Sequence, residues 1–182
     1  VHTAEHVASA MFYLGVAQAE IPRARLFAKP MPSTRPYAVL HPMASARDKT
    51  WLAANFLEVA GHMPRRLGLE PLFIAGPGEN LDAFAQYQCF AGSPLEEIKS
   101  LVACASLFVG NDSGPAHIAA AFGLPVVVLF GSSDPEIWRP WRTESSVLTS
   151  PSGIHAIRVS EVFEAIEHLP VPQPTPNLPL TR

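Results

Sequence analysis

The sequence predicts an α/β domain: a Rossmann-like parallel sheet with helices on both faces. Three observations carry this. Between residues 37 and 169, short apolar segments alternate with segments of helical period, an order that implies parallel strands joined by crossover helices. Of 182 residues, 48% are hydrophobic and only 16% charged, enough apolar material for one well-buried core. The run from Phe108 to Gly131 reads as strand, tight turn, short helix, turn, strand.

The elements follow in order. Val7, Met11 and Leu14 recur at helical spacing and Gly15 offers a stop, so the chain opens on a helix. Ile21 to Pro36 is rich in proline and arginine and reads as a connecting segment. Tyr37 to His41 is a strand stopped by Pro42. Lys49 to Met63 is expected as a helix with Leu52, Phe56, Val59, Ala60 and Met63 on one face. Leu72 to Ala75 is a strand ended by Gly76-Pro77-Gly78; a short helix near Leu81 to Tyr87 and a short strand around Cys89 and Phe90 come next. Ser93-Pro94-Leu95-Glu96 has the form of a capping box with proline at the first helical position, predicting a helix to about Ala105. After the Phe108–Gly131 unit, Val147 and Leu148 form a last strand, and Ser160 caps a helix through Val162, Phe163, Ile166 and Leu169. From Pro170 the tail holds five of the 19 prolines and little to bury, which predicts an extended or disordered end.

Composition narrows the function. A net charge of -3 lacks the basic excess of a nucleic-acid-binding surface. Any anionic ligand must then be held by backbone N–H groups and one or two placed cations. Cys89 and Cys104 are the only cysteines and lie outside any Cys-x-x-Cys pair, which fits small core residues of a reducing compartment. No His/Cys cluster has zinc spacing and no Asp-x-Asp pair occurs, so no metal or other cofactor is expected. No apolar run reaches the roughly 18 residues of a membrane span, and no basic-then-apolar leader opens the chain; the expectation is a soluble, cytoplasmic protein.

The densest chemistry is Asn111-Asp112-Ser113-Gly114-Pro115-Ala116-His117. Pro115 suits the start of a helix, Asp112 or Ser113 can cap it, and Gly114 lets the backbone turn closely. A helix end with free N–H groups then points at the carboxyl edge of a parallel sheet, a general place for phosphate.

This run resembles the nucleotide-sugar-binding signature of the lipopolysaccharide heptosyltransferases, inverting glycosyltransferases of GT-B fold that use ADP-heptose. Asp112, Ser113, Gly114, Pro115 and His117 match it residue by residue, as do Phe130, Gly131, Asp134 and Pro135. The resemblance implies that the chain is the C-terminal, donor-binding half of such an enzyme. Residues 1–36 would be an interdomain linker helix and connecting segment, 37–169 the nucleotide-sugar-binding domain, and 170–182 a proline-rich tail. Ser113, Gly114 and His117 would bind the donor diphosphate and Asp112 the donor sugar. His117 has a second reading, a structural residue packed under the loop.

His41-Pro42-Met43-Ala44, followed by Lys49-Thr50-Trp51, resembles the family's His-Pro-Gly-Ala and Lys-x-Trp-Pro. Lys49 matches the lysine that neutralises the donor phosphates; the ordinary alternative is a solvated lysine. Met43 replaces a glycine, Leu52 a proline and Ser132 a further proline. Trp51 reads as core packing. Glu79 matches a ribose-binding glutamate, against the alternative of a solvated acid, and Leu95 falls where the family builds its adenine pocket. Asp134-Pro135 reads as a turn. Trp138-Arg139-Pro140-Trp141-Arg142 lines the cleft, meets a partner domain or is a surface turn.

The family's catalytic base lies in the other half, so no catalytic residue is assigned here. The implied partners are ADP-heptose and, through the N-terminal half, a lipopolysaccharide core acceptor; the implied location is cytoplasmic, including the inner face of the inner membrane. A stand-alone nucleotide-binding module, or a GT-B enzyme of another nucleotide sugar such as an epimerase, are the rival readings.

Overall fold

In the computed structural model, which describes residues 1–31 and 33–171, six parallel strands form one sheet. The strands are β1 (Tyr37–His41), β2 (Glu70–Ala75), β3 (Gln88–Ala91), β4 (Leu107–Asn111), β5 (Val126–Leu129) and β6 (Ser145–Leu148), in the order β3-β2-β1-β4-β5-β6. The order reverses between β1 and β4, as in a doubly wound sheet.

Alternation of side chains along the strands makes two cores. Ala38, Leu40, Leu107, Val109, Val127 and Leu129 face one way, toward α2 (Ala53–Leu67) and α6 (Val159–Glu167). Tyr37, Val39, Phe108, Val126 and Val128 face the other, toward α3 (Leu95–Ala103) and α4 (Gly114–Phe122). Strands buried on both faces explain the unbroken apolar runs of the sequence.

Several expectations are corrected. Lys49 does not begin the helix; Arg47–Lys49 is a separate 3-10 turn and α2 starts at Ala53. The cause is tertiary. The Trp51 N–H donates to Asn111 Oδ1 (3.0 Å), which holds the chain extended between turn and helix. The helix expected over Leu81–Tyr87 is a single 3-10 turn, Asp82–Phe84. Ser93 caps nothing, because Pro94 is itself the N-cap with an extended ψ of 144°. Ser160 lies inside α6; the N-cap is Arg158, whose N–H donates to Glu161 Oε2 (2.8 Å). Asp134-Pro135 is more than a turn, since Asp134 caps the short helix α5 (Pro135–Trp138) by accepting from the Glu136 N–H at 2.8 Å.

The opening helix α1 (Thr3–Tyr13) buries none of its own residues. It is moored by its N-cap, His2, whose ring stacks on Trp141 at 4.4 Å and whose Nε2 lies 2.8 Å from the Arg139 carbonyl. The segment after it stays on the same side: Trp141 Nε1 donates to the Pro22 carbonyl and Arg142 pairs with Glu20. The Trp138–Arg142 cluster is therefore the mooring for the first two dozen residues. Of the expected tail, Val171 is buried against the first core, and residues 172–182 lie outside the described residues.

Candidate functional site

The carboxyl edge of the sheet is organised by Asn111, the last residue of β4. Its side chain is wholly buried; Oδ1 accepts from the Trp51 N–H and Nδ2 donates to the Pro42 carbonyl at 2.8 Å. Both ends of the loop 42–51 are thereby stapled to β4. Trp51 adds a third tie through Nε1 to the Ile157 carbonyl (2.9 Å), and its ring is core, as the sequence indicates. Met43, the departure from glycine, turns its side chain into the first core.

Two glycines permit this close stacking of backbones. A Cβ on Gly110 would stand 2.9 Å from the His41 carbonyl oxygen, and one on Gly131 would overlap the carbonyl of Asp48. Gly131 thus seats the turn carrying Lys49 directly over the end of β5.

A cavity of about 640 Å³ opens beside this loop, at the point where the strand order reverses. Its walls include His41, Glu79, Leu95, Ser113, Gly114 and Ile118. Four sequence-assigned residues, Glu79, Leu95, Ser113 and Gly114, therefore share one cavity. Leu95 is 62% exposed, an apolar surface available to a flat ligand. Glu79 is held by accepting from the Gly76 N–H, so it closes the turn after β2 rather than beginning a helix. Ser113 occupies the N-cap of α4 but makes no capping bond. Its Oγ lies instead 3.0 Å from His41 Nδ1 and donates to the Asn111 carbonyl at 3.1 Å. The N–H groups of the first turn of α4 are left free of a side-chain cap, which suits an anion.

Lys49, Asp112 and His117 do not line this cavity. They lie on the β5 side of the α4 N-terminus: Asp112 donates its N–H to the Leu129 carbonyl at 2.9 Å, and Lys49 rides above Gly131. His117 lines a second, apolar groove of about 440 Å³ with α1, Trp138 and Trp141. Burial pushes its imidazole below the usual range, partly offset by Asp112, while His2 reinforces the shift. The sequence-assigned residues are thus divided: Glu79, Leu95, Ser113 and Gly114 line the cavity on the β2 side, while Lys49 and Asp112 stand on the β5 side of the α4 N-terminus and His117 lines the separate groove against α1.

The residue that sequence reading passed over is His41. It stands in the quoted His-Pro segment, yet its contact with Ser113 spans 72 positions and no local signal reports it. Ser133 was passed over as well: its Oγ is buried without a hydrogen-bond partner. Among the described residues no group of three His, Cys, Asp or Glu side chains could hold a metal ion, both cysteines are free, and no helix is long and apolar enough to cross a membrane.

A doubly wound sheet with an open cavity at its strand reversal, floored by a helix N-terminus, defines a Rossmann-like α/β domain with a candidate ligand site. Residues 6–164 match glycosyltransferase family 9 (heptosyltransferase), and the chain belongs to that family. It is 36% identical over 116 residues to lipopolysaccharide heptosyltransferase 3 of Escherichia coli, covering 58% of this chain and 34% of that protein. The autotransporter heptosyltransferase BAHTCr of Citrobacter rodentium is 32% identical over 148 residues, 76% of this chain and 36% of the relative. The chain spans about a third of the length of these relatives.

Among solved structures, a family 9 glycosyltransferase from Veillonella parvula superposes with a TM-score of 0.80 at 20% identity over 91% of this chain and 59% of that one. The E. coli heptosyltransferase WaaC with ADP gives 0.66 at 21% identity over 75% of this chain and 45% of that one. These likenesses establish the fold as that of the GT-B heptosyltransferases. The heptosyltransferase TibC, described as dodecameric, iron-containing and in complex with ADP-D-beta-D-heptose, gives 0.59 at 28% identity over 76% of this chain and 38% of that one.

Proposed function

We propose that this chain is the donor-binding part of a heptosyltransferase that moves heptose from ADP-heptose to a lipopolysaccharide core sugar with inversion. The observation that carries it is the cavity at the α4 N-terminus, which gathers Glu79, Leu95, Ser113 and Gly114 in a family 9 chain. Adenine would rest on Leu95 and the ribose hydroxyls on Glu79. The diphosphate would cross the first turn of α4, meeting Gly114 and Ser113, with Lys49 beyond it. His117, within α4, would meet the same diphosphate from the β5 side, and the heptose would reach Asp112.

Physical chemistry supports this order. Free N–H groups at a helix end favour phosphate. A carboxylate would be repelled there but chelates vicinal hydroxyls, which suits Glu79 at one end and Asp112 at the other. A lysine ammonium stabilises the charge that builds on a departing diphosphate. Donor binding is proposed to need no divalent metal, because the helix end and Lys49 supply the positive potential.

The domain boundaries follow the same reading: 1–36 a linker helix and connection, 37–169 the nucleotide-sugar domain, 170–182 a tail. The base that activates the acceptor belongs to the remaining part of the enzyme, which works on the cytoplasmic face of the inner membrane.

Calorimetry of the chain with ADP, UDP and GDP in EDTA tests the reading. ADP should bind most tightly, and Lys49→Ala should cost about 1.5–3 kcal/mol with ADP but much less with AMP. Binding that appears only on adding magnesium, or that is equal for all three nucleotides, sinks it.

A further inference from the structure

His41 sits between two polar partners on the cavity wall. It is the last residue of β1 and only 5% exposed. Its Nδ1 lies 3.0 Å from Ser113 Oγ and its Nε2 lies 3.8 Å from Glu79 Oε2. The three residues come from β1, the turn after β2 and the N-cap of α4, and all line the same cavity.

The protons in this row can be counted. A carboxylate facing Nε2 favours a proton on that nitrogen. In the neutral ring Nδ1 is then an acceptor, and the single Ser113 hydroxyl proton is drawn to it or to the Asn111 carbonyl, both away from the cavity. Ser113 so arranged offers the cavity only lone pairs, which repel a phosphate oxygen. A second proton on His41 reverses the arrangement. Nδ1–H then donates to Ser113 Oγ, Nε2–H is held by Glu79, and the Ser113 proton is free to be given to an anion.

We propose that His41 is a positioning residue for the diphosphate, taking up one proton from solvent as the anion binds and so turning Ser113 from acceptor to donor. This rests on the nucleotide reading above. The proton returns to solvent when the nucleotide leaves, so nothing else is consumed.

The groups around His41 agree. From the turn after β2, Glu79 is the charged side chain that faces it. From β4 comes only the backbone at Gly110, and from α4 the Ser113 hydroxyl with the positive helix end. Burial holds its imidazole down at about 4, opposed by Glu79. A bound diphosphate brings the negative charge that offsets both burial and the helix end.

Titration calorimetry with ADP between pH 5.5 and 7.5, in two buffers of different ionisation enthalpy, reads the proton directly. ADP takes a proton of its own in this range, so the wild type is read against His41→Asn. The asparagine keeps an amide N–H near the Nδ1 position but gains no proton. Relative to His41→Asn, wild-type affinity should rise by up to about tenfold for each pH unit lowered, with extra proton uptake. His41→Leu, which loses the donor, should bind ADP about tenfold more weakly than His41→Asn. Equal proton uptake in the wild type and His41→Asn overturns the proposal, and so does unchanged affinity in His41→Leu. Should either variant fail to fold, Ser113→Ala serves: without the hydroxyl that accepts from Nδ1 the extra proton uptake must fall below that of the wild type, and undiminished uptake overturns the proposal. Absence of ADP binding at every pH overturns the nucleotide reading itself, and this inference with it.

Discussion

Asn111 shows how much one side chain can organise at this sheet edge. Both its polar atoms are spent on backbone groups of the loop 42–51, and it is fully buried. Asn111→Ala leaves the Trp51 N–H and the Pro42 carbonyl unpaired, so denaturant titration should show a loss of about 2–4 kcal/mol. A loss below half a kcal/mol would mean that water replaces the clamp without cost. At this scale the sequence was legible only where partners are neighbours along the chain. The Asp112–His117 run was visible because its turn and helix start are contiguous. The Asn111 clamp and the His41–Ser113 contact join positions 60 or more residues apart, and no pattern within a window of the chain encodes them. Lys49 reads as the first residue of a helix along the chain but ends a 3-10 turn, because Trp51 obeys Asn111 rather than its own propensity.

Among the longer helices, α1 alone contributes no residue to either core. It buries none of its own side chains and depends on the His2 ring lying against Trp141. Removing that ring surface with Trp141→Ala should free the helix without touching either core. Stacking of this kind is worth about 0.5–1.5 kcal/mol, so hydrogen exchange of residues 3–13 should quicken by up to about tenfold while the melting of the sheet stays put. Unchanged exchange would show that the segment 16–31 alone holds α1. The strands and the four longer helices of the sheet were legible from period and apolar runs. Their starts were less so, since Pro94 and Arg158 set the N-caps of α3 and α6 where serines had been expected.

For the molecule as a whole, two imidazoles shifted by burial, His41 and the half-buried His117, set a pH response. His41 is pushed from 6.5 down to about 4 in the fold, chiefly by burial. The unfolded chain therefore binds a proton that the folded chain refuses between those values. Stability is complete above pH 6.5, is lost as pH falls, and levels off below about 4, a contribution of about 3 kcal/mol. His117 shifts in the same direction and adds to the slope. Denaturation midpoints of wild type and His41→Asn across pH 4–7 should diverge accordingly; parallel curves would show that His41 binds its proton equally in the folded and unfolded chain, with no shift from burial. The doubly wound architecture was the most legible level of all, because alternating strands and helices admit few arrangements. The two cores add an optical consequence. Trp51 is 1% exposed and tied to the loop 42–51, whereas Trp138 is 45% exposed and stands with Trp141 at the α1 mooring. The three tryptophans therefore divide into a blue-emitting, quencher-shielded fluorophore and a red-emitting, quenchable pair. Acrylamide separates the two signals, so the unmodified chain reports the stapling of the loop 42–51 and the helix mooring on separate spectral channels.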